Sequence, residues 1–344
     1  MKDTLRYILA GLLIFTIIIL QPFYLEWLGY DSVAPAEEAE YIENELPTPY
    51  SQKKQSSLIP AINNASVPSI EADLLERKLT IVTPLYSATL SNRGGGSITD
   101  YTLTGENSGK LKYTGGYNAE GIFNKELPVS MILPDENICH PCLAFFESKS
   151  DKYTFFNHPF TLSNFGDNRD TIYLESGEDV EFRYSWKDAA GTSLIDKTVT
   201  FNADDYMSFH NFKINSDKLE YSNNLELMWY GGLRPTEEKA DEDIAYASGI
   251  ISQVGSIEDV QSKDADDYIQ RSVFNGQSDW AAVRTKYFMS AIMVDEPGKF
   301  ATLSAESPRF GNREHTPVYN ASIGYSYGVN QINSRLYLGP LDVD

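Results

Sequence analysis

The residues whose types and spacing first suggest chemistry are Cys139-His140-Pro141-Cys142. A C-x-x-C with a histidine between the sulfurs lowers a thiol pKa and exchanges disulfides when the first cysteine opens a helix after a strand. Here Leu143-Ala144-Phe145-Phe146 follows, which reads as a strand. The expectation is therefore a loop pair of cysteines, oxidised outside the cytosol, rather than a redox centre. His158, His210 and His315 are scattered and lack zinc-ligand spacing around the cysteines. Gly94-Gly95-Gly96 lacks the helix and the Lys-Ser/Thr pair of a phosphate loop. Ser97-Ile98-Thr99-Asp100-Tyr101 comes next, so a tight turn between strands is expected. His210 and His315 are candidates for acid and base in a sugar-active sandwich, against the plainer reading of structural histidines. With 49 Asp and Glu residues, paired carboxylates occur by chance, and no Ser-His-Asp spacing stands out. No catalytic, cofactor-binding or metal-binding residue is assigned, and no cofactor is expected.

The elements that would place such residues begin with Leu5 to Leu28, where an apolar or small block runs from Ile8 to Leu20 between Arg6 and Trp27. As a helix this stretch would rise roughly 36 Å, enough to cross a bilayer with some tilt. Lys2 and Arg6 precede it, while Glu26, Asp31, Glu37, Glu38 and Glu40 follow, so the positive-inside rule places the N-terminus in the cytoplasm and the rest outside. Ala34-Pro35-Ala36 has the form of a cleavage site but lies too far beyond Leu20, which favours an uncleaved anchor. Residues 31–73, rich in Glu, Pro, Ser and Asn without apolar periodicity, read as a flexible linker. The expected organisation is an anchor over 1–30, a linker over 31–73 and one folded domain over 74–344.

A net charge of −21 argues against nucleic acid and anionic headgroups as partners, and two cysteines exclude a disulfide scaffold. The 22 Tyr and 17 Phe point towards strands. Val180, Phe182, Tyr184 and Trp186 alternate on one face, and turns lead into Leu194–Phe201 and Met207–Ile214, giving an antiparallel meander. Met207 and Phe209 fall out of phase with Phe212 and Ile214, which predicts a bulge at His210-Asn211. Leu225, Leu227 and Trp229 alternate in a further strand, as do Ile323, Tyr325, Tyr327 and Val329, with Gly324 and Gly328 opposite. Glu237–Ser248 and Asp259–Arg271 are the helical candidates. The fold class expected is mainly β, a large antiparallel sandwich.

Gly276 to Ile292, with Trp280-Ala281-Ala282 ahead of Tyr287-Phe288 and a small-residue-rich strand, resembles a segment of the bacterial YidC insertases of the YidC/Oxa/Alb family. Other stretches agree in order. They are the anchor, Leu79–Thr83 before Leu90 and Gly94-Gly95-Gly96-Ser97-Ile98, Val199-Thr200-Phe201 before Tyr206, Trp229-Tyr230-Gly231-Gly232-Leu233 before Glu237, and Leu336-Tyr337-Leu338-Gly339-Pro340. The resemblance implies a periplasmic β-super-sandwich of two packed sheets behind the first membrane helix of an inner-membrane insertase and chaperone, without covalent chemistry. Its implied partners are nascent membrane proteins, the Sec translocon with its accessory proteins, and the bilayer through residues 5–28. In this family the insertase activity is attributed to five C-terminal membrane helices forming a polar groove. They would begin just after Gly339-Pro340, so none of the groove residues can be carried over to this sequence. The rival expectation is a membrane-tethered carbohydrate-binding or mutarotase-like periplasmic sandwich, which would need His210 or His315 facing a carboxylate in an aromatic cleft. A redox protein using Cys139 and Cys142 is the third.

Overall fold

Inward-facing side chains spaced two apart build the first strands. Leu79 and Ile81 of β1 (Lys78–Val82) are buried, as are Tyr86, Ala88 and Leu90 of β2 (Tyr86–Ser91) and Ile98, Tyr101 and Leu103 of β3 (Ser97–Leu103). The three-residue step from Ile98 to Tyr101 coincides with a register shift between Thr89 and Leu90 of β2. This computed structural model describes residues 75–341 except 119, 134–138, 149, 151, 167–168, 220–223, 262–268 and 307–315. The expected anchor over 5–28, the linker over 31–73 and position 315 lie outside the described residues. Among those described, no helix is long and apolar enough to cross a membrane.

Two short ribbons follow, β4 (Glu106–Asn107) with β5 (Lys110–Leu111) and β6 (Thr114–Tyr117) with β7 (Phe123–Pro128). Next come β8 (Cys139–Glu147), β9 (Lys152–Phe155), β10 (Thr161–Leu162) and β11 (Thr171–Tyr173). β11 pairs in parallel with β1, closing a four-stranded sheet ordered β11-β1-β2-β3. The expected meander is present as β12 (Asp179–Lys187), β13 (Ser193–Asn202) and β14 (Met207–Ile214), with Val180, Phe182, Tyr184 and Trp186 inside.

The bulge expected at His210-Asn211 is absent. β14 pairs with β13 without a shift from Ser208 to Ile214, and Ser208, His210, Phe212 and Ile214 all point inward. The phase argument failed because a polar Ser-His pair occupies the inner face while Phe209 remains 44% exposed. In β15 (Leu225–Tyr230) the alternation gives way to burial on both faces, as befits a central strand. The helix expected over Glu237–Ser248 is the seven-residue α1 (Ala240–Tyr246). The helix expected over Asp259–Arg271 is contradicted at both ends, since β16 (Ser248–Gln253) turns into β17 (Ser256–Val260) and Ile269 opens β18 (Ile269–Arg284); residues 262–268 lie outside the described residues. The late strand also stops early: β20 (Val318–Tyr325) ends before Tyr327, which is 63% exposed beside the left-handed Gly328.

β18 and β19 (Phe288–Glu306) are the long members of a thirteen-stranded sheet. The first part of β19, Phe288 to Val294, pairs with β21 (Gln331–Pro340), which leads on to β14, β13 and β12. Its second part, Phe300 to Glu306, pairs with β20, which leads on to β15, β8 and β9. A single apolar cluster draws side chains from both wings and from the four-stranded sheet.

Candidate functional site

Cys139 and Cys142 are joined by a disulfide and fully buried. They lie at the start of β8 rather than in a loop, and a strand follows them, not a helix. His140 is buried with Nδ1 2.9 Å from the Ile98 carbonyl oxygen and its ring beside Trp229. This histidine therefore fastens β8 to β3 instead of activating a thiol.

The glycine turn faces the same place. Gly94, Gly95 and Gly96 all have positive φ, and a Cβ on Gly96 would come 2.6 Å from the Tyr184 ring. The Gly94 and Gly95 amides donate to the His158 and Asn92 carbonyls, so they are not turned towards an anion. Instead, the Gly94 carbonyl accepts from the Lys197 ammonium at 3.2 Å, and the Pro141 carbonyl accepts from the same ammonium at 2.9 Å. Burial pulls the Lys197 pKa down from 10.5 to about 7.

His210 is wholly buried, with Nε2 2.9 Å from the Ser208 hydroxyl. Burial first, and the nearby Lys197 charge second, hold its pKa well below 6.5. It does not face a carboxylate among the described residues. His158 stacks on Trp186, and burial followed by the Arg93 charge lowers its pKa as well. Among the described residues, no group of three or more His, Cys, Asp or Glu is arranged to hold a metal ion.

A polar centre arises instead around Glu226, the second residue of the otherwise apolar strand β15. Glu226 is 1% exposed, and Oε1 accepts from Arg271 Nη2 at 2.5 Å. Its Oε2 accepts from the hydroxyls of Ser322, Tyr153 and Thr302 at 2.6, 3.0 and 3.1 Å. Arg271 Nε donates to Tyr153 Oη at 2.7 Å, and its guanidinium lies 4.3 Å over the Phe146 ring. Burial, then the Glu226 charge, pushes the Tyr153 phenol well above its ordinary 10. Above this cluster a hollow of about 240 Å³ opens between Phe146, Asn224, Arg271, Asn275 and Phe300. The signal in the sequence was one carboxylate in the otherwise apolar run Leu-Glu-Leu-Met-Trp-Tyr; its partners lie on four other strands.

The family described as the YidC periplasmic domain matches residues 156–344, more than half of the chain. This chain belongs to the YidC periplasmic-domain family. The membrane protein insertase YidC of Chlorobium phaeovibrioides is 25% identical over 287 residues, covering 78% of this chain and 43% of that protein. The YidC of Chlorobaculum tepidum is 26% identical over 306 residues, covering 85% and 48%. The chain thus spans about half the length of the curated relatives it matches. Among solved structures, HI1317 superposes with a TM-score of 0.41 and 11% identity over 76% of this chain and 91% of that one. That likeness is too remote to support a conclusion.

The residues that carry the YidC resemblance are architectural here. Trp229 Nε1 donates to the Gly232 carbonyl at 2.8 Å, and Asn320 holds the Gly231 amide at 2.7 Å. Ala281 and Ala282 are buried opposite Ile251 and Ile250 of β16. Gly339 leaves space for Tyr206, whose ring would lie 2.8 Å from any Cβ there.

Proposed function

We propose that this chain supplies the N-terminal and periplasmic part of a YidC-type membrane protein insertase. The match of residues 156–344 to the YidC periplasmic domain carries this reading. Residues 1–30 anchor it in the inner membrane with a cytoplasmic N-terminus, 31–73 form the linker and 74–344 the periplasmic domain. The domain is a two-layer super-sandwich. His140 of β8 bonded to the Ile98 carbonyl of β3, and the Tyr86 hydroxyl of β2 donating to the Asn202 carbonyl of β13, support contact between its two sheets. Its partners are nascent membrane proteins and the Sec translocon, and its role is physical rather than covalent. Insertion requires a polar groove that lowers the cost of moving hydrophilic segments through lipid while apolar helices leave into the bilayer. The periplasmic part contributes contacts.

Reconstitution of residues 1–344 into liposomes tests this. A substrate should fail to insert with this part alone, yet insert when the part is joined to a YidC membrane domain. Efficient insertion by residues 1–344 alone would overturn the assignment. N-terminal sequencing beginning near Glu37 would contradict the anchor.

A further inference from the structure

The construction of the hollow over Arg271 points to a ligand. A buried ion pair seldom stabilises a fold relative to apolar residues of the same size. Here, however, Glu226, Tyr153, Thr302 and Ser322 use five hydrogen bonds to lock one guanidinium in place. Arg271 spends Nε on Tyr153 and one Nη2 proton on Glu226. Its Nη1 group has no hydrogen-bond partner among the described residues and remains for an external acceptor.

Asn224 and Asn275 stand exposed at the rim, and neither side chain is engaged by another described residue. Each offers a donor and an acceptor. Phe146 and Phe300 supply apolar walls. Fixed donors, adaptable amides and aromatic walls form a mixed surface that suits a ligand carrying both hydroxyl groups and C–H faces.

Charge decides between a neutral and an anionic ligand. Glu226 already neutralises Arg271 at 2.5 Å, and the chain carries −21 overall. A carboxylate or phosphate would therefore meet a neutral pair in a repulsive field. Size decides the rest, because about 240 Å³ lies below the roughly 300–1,000 Å³ of sites for drug-sized molecules and suits a single ring.

We propose that this hollow binds a neutral saccharide ring through Arg271, Asn224 and Asn275. Binding is the role assigned to it, because its lining carboxylate, Glu226, is already engaged by Arg271 and three hydroxyls. The site stands independently of the insertase reading.

The test is calorimetric titration of the whole chain in detergent with glucose, galactose, N-acetylglucosamine and maltose, beside acetate and a short acidic peptide. At least one neutral sugar should bind saturably with a Kd of about 1 mM or weaker. Asn275→Ala and Asn224→Ala, both at exposed positions, should each weaken it roughly tenfold without moving the unfolding midpoint. Arg271→Lys should abolish it. No saturable sugar binding up to ~50 mM overturns the proposal. So does affinity unchanged in both asparagine variants, or binding of acetate or peptide but of no sugar.

Discussion

The Lys197 ammonium donates to the Pro141 carbonyl at 2.9 Å, tying β13 of one wing to β8 of the other through a cation with no carboxylate among its described partners. Its pKa of about 7 lies below the unfolded value of 10.5. Between those values the unfolded chain holds a proton that the folded chain lacks. Stability therefore rises with pH across this window and is lost as pH falls towards 7. Lys197→Met should flatten the rise in urea midpoint between pH 7 and 9.5; equal slopes in both proteins would refute the account. Measurements should stay below pH 10, where buried tyrosines such as Tyr101 and Tyr184 begin to oppose the trend.

Glu226→Leu leaves the Arg271 guanidinium and three hydroxyls without their acceptor. A loss of about 3–5 kcal/mol is expected. Removing both charges, as Glu226→Leu with Arg271→Met, should recover most of it. A double-mutant cycle by urea unfolding reads the coupling, and additive losses would show that the two groups act separately.

Gly324 lies opposite Phe300, and a Cβ there would fall 2.0 Å from the ring. Gly324→Ala should cost about 1–3 kcal/mol by displacing that ring, and it should disturb the hollow that Phe300 walls. Gly191→Ala is the comparison: its φ is +79° with open space around it, so only backbone strain of about 1–2 kcal/mol is at stake. Equal heat stability of Gly324→Ala and the parent would exclude the packing argument.

The Cys139–Cys142 bond closes a short loop, and both sulfurs are buried. Chain entropy for so small a ring gives about 2 kcal/mol. Cys139→Ala with Cys142→Ala should lose roughly that amount while keeping the fold. An alkylating reagent should leave the native chain unlabelled unless reductant and denaturant are both added. Rapid labelling under native conditions would revive a redox role.

Strand identity was legible wherever one face is apolar, as in Val180–Trp186 and Leu194–Phe201, because the pleat imposes a two-residue period locally. It failed at His210, where polar residues occupy the inner face, and at Asp259-Val260, where the charge-rich residues of β17 hid an edge strand. The glycine turn was readable as a turn, but the Lys197 side chain that fills its concave side was not. Neither was the polar centre. Glu226 alone is an anomaly, and its meaning depends on Arg271, Thr302 and Ser322.

The sequence by itself determined the β class, the family and the turns, since these rest on side-chain period, on motifs in order and on left-handed glycines. Only the tertiary structure decided which groups meet. Lys197 reaches carbonyls 103 and 56 residues away, and Glu226 is joined to Arg271 45 residues on and to Ser322 96 residues on. Such contacts are set by strand order across the thirteen-stranded sheet, a non-local property that no local periodicity encodes.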